Sequence, residues 1–140
     1  MRHPNDERGF TLIELLVVMI IIGILAAIAI PLFLTQRGKA HDTSTKADAS
    51  TVGREIATYF VDGTGTIALD FLTTPGSVIL SDGAGYSSTV RLTNGTARPR
   101  TGGFAALDNR FAWCVAFTDD DGINKTYKFS ASAGLEPGTC

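Results

Sequence analysis

A single acidic residue, Glu14, stands near the start of a long apolar stretch of the sequence. It is the only charged side chain between Phe10 and Leu34. A charge at the centre of a membrane costs about 2.5 to 3.5 kcal/mol on insertion scales, and less near the edge. A plain membrane anchor would be more stable without this carboxylate. Glu14 therefore indicates a function, unless its side chain only reaches the lipid headgroups.

A cation for Glu14 would appear if the chain were cut between Gly9 and Phe10. The cut creates an α-amino group four residues before the carboxylate, which is one helical turn. The two groups could then pair within one chain or between two staggered chains. Opposite charges attract more strongly away from water, and a buried charge can set the register of an assembly. The spacing is therefore compatible with pairing between copies of the chain.

Few other residues offer chemistry. The chain has two histidines and two cysteines, and no nucleophile motif, paired acids in a recognisable cleft, or phosphate-binding loop. His41 lies in a polar stretch, where we expect it to face solvent. The sequence therefore predicts no enzymatic activity, no catalytic residue and no cofactor.

An acidic run, Asp119 to Asp121, precedes Gly122 and is followed by Asn124. Such oxygen-bearing side chains serve as ligands in calcium loops. The run lacks the full twelve-residue calcium pattern and its terminal Glu. We therefore interpret it as the turn of a β-hairpin and predict no metal, with calcium binding left as the alternative.

The charge balance argues against a dedicated nucleic-acid binder. The 140 residues contain 12 Lys and Arg against 14 Asp and Glu, a formal net charge of −2. A local basic excess lies between residues 91 and 110. Without an aromatic platform or a known motif, we interpret it as a solvated or ion-paired face. The arginines of this stretch are Arg91, Arg98, Arg100 and Arg110.

The apolar segment, residues 10–34, predicts a membrane-spanning helix. Its 25 residues would extend about 37 Å as a helix, enough to cross a hydrocarbon core of about 30 Å. Gly23 and Pro31 interrupt it, and Pro31 predicts a bend or local loosening. The small residues Ala27-Ile28-Ala29 resemble a signal-peptidase site, but the apolar run is too long for an ordinary signal peptide.

The helix is expected to continue as an amphipathic segment over residues 35–62. The cluster Asp62-Gly63-Thr64-Gly65 predicts its end. Apolar residues recur at steps of three and four, forming one stripe: Ala49, Val52, Ile56, Tyr59 and Phe60.

Residues 63–140 predict antiparallel strands separated by turns. The alternation of Phe111, Trp113, Val115 and Phe117 predicts a sheet face that packs on the helical stripe. The expected fold is thus α+β, with one long N-terminal helix packed on a small antiparallel sheet. The candidate strands are residues 77–80, 86–92, 111–118 and 125–130, with a further turn at Asn94-Gly95.

The run Arg8-Gly9-Phe10-Thr11-Leu12-Ile13-Glu14, followed by unbroken apolar residues with Gly23 and Pro31, resembles the N-terminal region of type IV pilins. The resemblance covers residues 8 to about 34. It implies that residues 1–9 are a leader removed by a prepilin peptidase. It also implies N-methylation of Phe10 and pairing of Glu14 with the Phe10 amine of a neighbouring copy. The resemblance, rather than the nearly balanced flanking charges, places the leader inside the cell and the sheet outside.

The resemblance extends to function, partners and location. It implies a homopolymeric pilus filament built by an assembly ATPase and an inner-membrane platform. The subunit would be a single-pass membrane protein before assembly and part of a surface filament afterwards. The runner-up is a pseudopilin of a type II secretion system, and a monomeric anchored binding protein is a third hypothesis.

Both cysteines of the chain belong to the predicted outer domain. A domain outside the cytoplasm favours a disulfide between Cys114 and Cys140, and a late disulfide is frequent in pilins. The alternative is two free, buried thiols.

Overall fold

The structure is a computed structural model that describes residues 9–71, 73, 76–93, 98–105 and 107–140. Residues 98–105 are described by their backbone alone. The chain divides into two compact units, Met1–Gln36 and Arg37–Cys140. Helix α1 (Leu12–Asp62) begins in the first unit and ends in the second. The predicted turn at Asn94-Gly95 lies outside the described residues.

In the described part of the chain, seven strands follow the helix, and their pairings are antiparallel. They form a three-stranded sheet of order β1-β2-β3 and a four-stranded sheet of order β4-β5-β6-β7. The α+β prediction is confirmed, although there are two small sheets where one was expected. The strands are β1 (Ala68–Asp70), β2 (Ser77–Ser81), β3 (Ser87–Arg91), β4 (Arg98–Ala105), β5 (Cys114–Thr118), β6 (Thr126–Ser130) and β7 (Gly134–Pro137).

The predicted apolar stripe of the helix forms one side of the core. Every residue of the stripe is buried, and the three residues Ala49, Val52 and Ile56 have no exposed surface. They share a hydrophobic cluster with strand residues that are also fully buried. The period of the stripe therefore predicted the packing face of the helix correctly. The buried strand residues are Val78, Leu80, Val115 and Phe117.

Gly53 allows the helix to approach the four-stranded sheet closely. A Cβ atom at this position would overlap the ring of Phe129. That ring stacks in turn on Trp113, with 6.0 Å between centroids. The helix thus tolerates the lower propensity of glycine because the missing side chain leaves room for an aromatic one.

The alternation predicted for the strand at residues 111–118 is correct only in part. Trp113, Val115 and Phe117 are buried, but 76% of the surface of Phe111 is exposed. The reason is that β5 begins at Cys114. Phe111 lies in a turn in which its backbone N–H donates to Asn109 Oδ1 at 2.9 Å. The two-residue period of a strand therefore does not apply to it.

Candidate functional site

The apolar segment opens with a hydrogen-bonded cap at Thr11. The Thr11 backbone N–H and hydroxyl both donate to Glu14 Oε2, at 2.9 and 2.8 Å. The Glu14 backbone N–H donates to Thr11 Oγ1 at 3.3 Å. Helix α1 starts at Leu12, so Thr11 is its N-cap and the two side chains form a capping box.

This cap was missed in the sequence, although its pattern is visible there. Thr11-Leu12-Ile13-Glu14 has the Thr-x-x-Glu spacing of a capping box, and the uncharged apolar residues 15–34 follow it. Glu14 thus has a partner within its own chain. The contacts use Oε2, and a carboxylate has accepting capacity on both oxygens. The cap therefore fixes the side chain and leaves it able to accept a further donor.

The apolar side chains that follow Glu14 are exposed. Ile20, for example, has 54% of its surface exposed. By length and composition, α1 is the one helix in the described part of the chain that is able to cross a membrane. An exposed apolar surface of this extent needs lipid or other apolar side chains around it. The exposed residues of this segment include Leu15, Leu16, Val17, Val18, Ile21, Ile22, Ile24, Leu25, Ile28 and Ile30.

Gly23 and Pro31 both lie inside the continuous helix. Proline has no N–H, so the carbonyl of Ala27 loses its usual donor at this turn. One turn later, the Thr35 hydroxyl donates to the Pro31 carbonyl at 3.0 Å.

The peptide bond between Gly9 and Phe10, the predicted cleavage site, joins two exposed residues. The remainder of the predicted leader, residues 1–8, lies outside the described residues.

We expected His41 to face solvent, but its side chain is largely buried. Its Nδ1 lies 2.8 Å from a carboxylate oxygen of Asp119, which is 2% exposed. A carboxylate oxygen of Asp121 lies within 4.8 Å of both groups. Asp121 also forms an ion pair with Arg37 at 3.9 Å. The tertiary fold brings the helix to the β5–β6 turn here, which the position of His41 in the sequence did not reveal.

The acidic run forms the turn between β5 and β6. Asp119 Oδ1 accepts the backbone N–H of Asp121 at 3.0 Å, as in an Asx turn. The helix contributes Asp42, which accepts the backbone N–H of Asn124 at 3.1 Å and its side-chain amide at 3.2 Å. These carboxylates therefore accept N–H donors of the turn. This arrangement supports the hairpin interpretation of the run.

The predicted basic face is only partly described. Arg91 and Arg110 are exposed, and the guanidinium of Arg110 lies 5.2 Å from the ring centroid of Phe111. The side chains of Arg98 and Arg100 lie outside the described residues.

Cys114 and Cys140 form a disulfide, as predicted, with 5.7 Å between their Cα atoms. The bond attaches the C-terminal residue to the start of β5. Neither of the two cysteines is free. The alternative of two free thiols is therefore wrong.

Two groups of hydrogen bonds stabilise the three-stranded sheet beside the helix. Asp82 Oδ1 accepts the backbone N–H groups of Ala84 at 2.8 Å and Tyr86 at 3.0 Å. The bond from Ala84 is the main reason that the pKa of Asp82 is lowered. The Tyr86 hydroxyl donates to Glu55 at 3.0 Å. Burial, and then this bond, raise the pKa of Tyr86.

Comparison with known proteins places these features in one family. The family described as "Prokaryotic N-terminal methylation motif" matches residues 4–30. The type IV major fimbrial protein FimA of Dichelobacter nodosus is 33% identical over 136 residues, which are 95% of this chain and 79% of that protein. No solved structure matches the chain significantly.

Two further relatives match over shorter regions. The type IV wide pilus major component PilA4 of Thermus thermophilus is 37% identical over 84 residues, 55% of this chain and 64% of that protein. The type II secretion system core protein G of Escherichia coli is 34% identical over 62 residues, 44% of this chain and 43% of that protein. With a capped apolar helix, two small antiparallel sheets and a match over 95% of its length, this chain belongs to the type IV pilin family.

Proposed function

We propose that this protein is the structural subunit of a type IV pilus. The match to a major fimbrial protein over 136 residues carries the proposal, and the exposed apolar segment supports it. The segment would be surrounded by lipid before assembly and by the helices of other copies afterwards. Membrane anchoring requires the same apolar surface as helix packing, so one segment serves both states.

In this proposal, residues 1–9 are removed by a prepilin peptidase, and Phe10 becomes the methylated N-terminus. Glu14 then accepts the Phe10 amine of a neighbouring copy. The cap at Thr11 fixes the carboxylate at the start of the helix. There the positive end of the helix dipole stabilises its negative charge. Polymerisation relies on an assembly ATPase and a membrane platform, and the finished filament lies at the cell surface. We propose no catalytic activity and no cofactor.

The proposed domain boundaries follow this division of labour. Residues 10–34 form the membrane and filament-core helix, and residues 35–62 form its amphipathic continuation. Residues 63–140 form the β-sheet head with its C-terminal disulfide. Gly23 and Pro31 are the positions at which the helix would loosen as copies pack together.

The test is to express the chain in cells that carry a type IV pilus machine. We expect the isolated protein to start at methylated Phe10 by mass and N-terminal sequence. Glu14→Ala should keep this processing but lower the yield of sheared filaments at least about tenfold, because the assembling charge pair is lost. The matched control, Glu136→Ala, removes a carboxylate from β7 and should leave the yield unchanged. Normal filaments from Glu14→Ala would refute the pairing role.

The alternative is a pseudopilin of a type II secretion system, favoured by the matches to core protein G of two species. Expression at native level separates the two functions. A pilus subunit gives long surface filaments, whereas a pseudopilin restores export of a secreted protein in a strain that lacks core protein G.

A further inference from the structure

Two patches on the unit Arg37–Cys140 leave apolar surface exposed. The first, here the cleft patch, is a cleft of about 190 Å³ at the end of helix α1. The second, here the knob patch, is the β5–β6 turn, where Ile123 keeps 53% of its surface exposed. The cleft is lined by Phe60, Gly63, Thr64, Asp108, Asn109, Arg110 and Phe111.

The cleft patch presents apolar surface without covering it. Phe111 is 76% exposed, and Val61, beside Phe60 on the last turn of the helix, is 69% exposed. Among the side chains that the structure describes in this unit, these are the two most exposed large apolar ones. The cleft has room for one branched aliphatic side chain, and a pocket filled by an apolar anchor is the usual centre of a binding interface.

The knob patch cannot reach the cleft of its own chain. Ile123 lies against Gly38, where an added Cβ would come within 2.9 Å of its side chain. Phe60, at the cleft, is on the same helix. At 1.5 Å per residue, the helix between Gly38 and Phe60 is about 33 Å long. Any contact between the two patches is therefore a contact between two copies.

The charges around the two patches are also complementary. The cleft has a cation, Arg110, and an acid, Asp108. The knob is flanked by an exposed acid, Asp120, and an exposed cation, Lys125. Within the described residues, none of these four side chains takes part in an ion pair. Each charge on one patch therefore has an opposite charge on the other that it can meet.

We propose that Ile123 of one copy inserts into the cleft at Phe111 of a second copy, with Asp120 facing Arg110. The two surfaces are different, so the contact is heterologous. A heterologous contact that does not close on itself produces an open chain of subunits. The contact deepens the proposed pilus function and rests on it. It would join copies displaced by about 33 Å, the separation of the two patches along the helix.

Cross-linking within filaments tests the contact. The double variant Thr64→Cys/Ile123→Cys places one thiol at the cleft and one on the knob of every copy. After mild oxidation, we expect a ladder of covalent oligomers on a non-reducing gel. Each single variant is the control and can give dimers at most. Filaments of the double variant that yield only monomers and dimers would overturn the inference.

Charge reversal provides a second test that does not need the cysteines. We expect Arg110→Asp and Asp120→Arg each to lower filament yield about fivefold or more, since each creates a like-charge contact. The two changes combined in one chain should restore the yield. Leu135→Asp, a change at another partly exposed apolar residue of this unit, is the matched control. Wild-type yield from both single reversals would overturn the contact and leave the pilus function intact, whereas absence of wild-type filaments would refute the function itself.

Discussion

Apolar side chains are exposed in the unit Met1–Gln36, whereas many of them are buried in the unit Arg37–Cys140. Ile20 and Ile56 lie on the same helix, yet Ile20 is 54% exposed and Ile56 is fully buried. The difference is that Ile56 packs on strands of its own chain, whereas Ile20 has only its helix around it. The first region therefore depends on lipid or other copies, and the second carries its own core.

The hydrogen bonds differ in the same way. In the first region they are local, such as those between Thr11 and Glu14 or between Thr35 and Pro31. The second region also has bonds between residues far apart in sequence, such as His41 with Asp119 and Asp42 with Asn124. Local bonds define a helix, but long-range bonds are needed to hold a tertiary fold. A chain built this way can exchange the surroundings of one region without refolding the other.

The largest expected effect comes from the disulfide of the second region. Replacing both Cys114 and Cys140 with Ser should lower the free energy of unfolding of this region by about 3.5 kcal/mol, because a loop of about 27 residues is no longer closed in the unfolded chain. Chemical denaturation of the detergent-solubilised chain measures the loss. Reduced wild-type protein should behave like the double variant. Membrane insertion should not change, and a loss of insertion would show that the two regions are not independent.

Truncation of the two isoleucines compares the regions directly. Ile56→Ala should cost about 3 kcal/mol of unfolding free energy, since it leaves a cavity in a packed core. Ile20→Ala is the matched control and should leave the thermal unfolding midpoint of the second region unchanged. Equal losses from the two changes would contradict the comparison.

The smallest expected effect is a pH dependence at Asp82. Its pKa is lowered, chiefly by the N–H of Ala84, so the charged form is favoured in the folded state. The stabilisation is present above the unfolded pKa of about 3.9 and is lost as the pH falls through the folded value. Asp82→Asn should therefore weaken the fall in the unfolding midpoint between pH 5 and pH 2.

The control for this pH series is Asp62→Asn at the exposed end of the helix. Its acid limb should follow that of the wild type. A wild-type acid limb in Asp82→Asn would show that the hydrogen bonds of Asp82 do not couple its ionisation to folding.

Much of the fold follows from periodicity in the sequence. The stripe from Ala49 to Phe60 gave the buried face of the helix because a period of 3.6 residues leaves little choice of face. The helix also ends at Asp62, as the Asp-Gly cluster predicted. Phe111 was misassigned because alternation continues in the sequence beyond the point at which the strand begins.

The strands that were missed are β1, β4 and β7. β1 has three residues and β7 has four, including Pro137. β4 contains Pro99 and two glycines, which weaken any strand signal. β4 and β7 are the two edges of their sheet, where proline is tolerated because an edge strand has unpaired N–H positions.

Composition and short-range spacing were enough to predict the helix, its apolar half, the position of Glu14 and the packing stripe. The folded chain was needed to find the contact of His41 with Asp119, the hydrogen bonds of Asp42 to the β5–β6 turn, and the exposure of Phe111 and Ile123. These contacts join residues up to 82 positions apart. No local preference specifies such a pairing, since it arises only when the helix and the strands close on a common core.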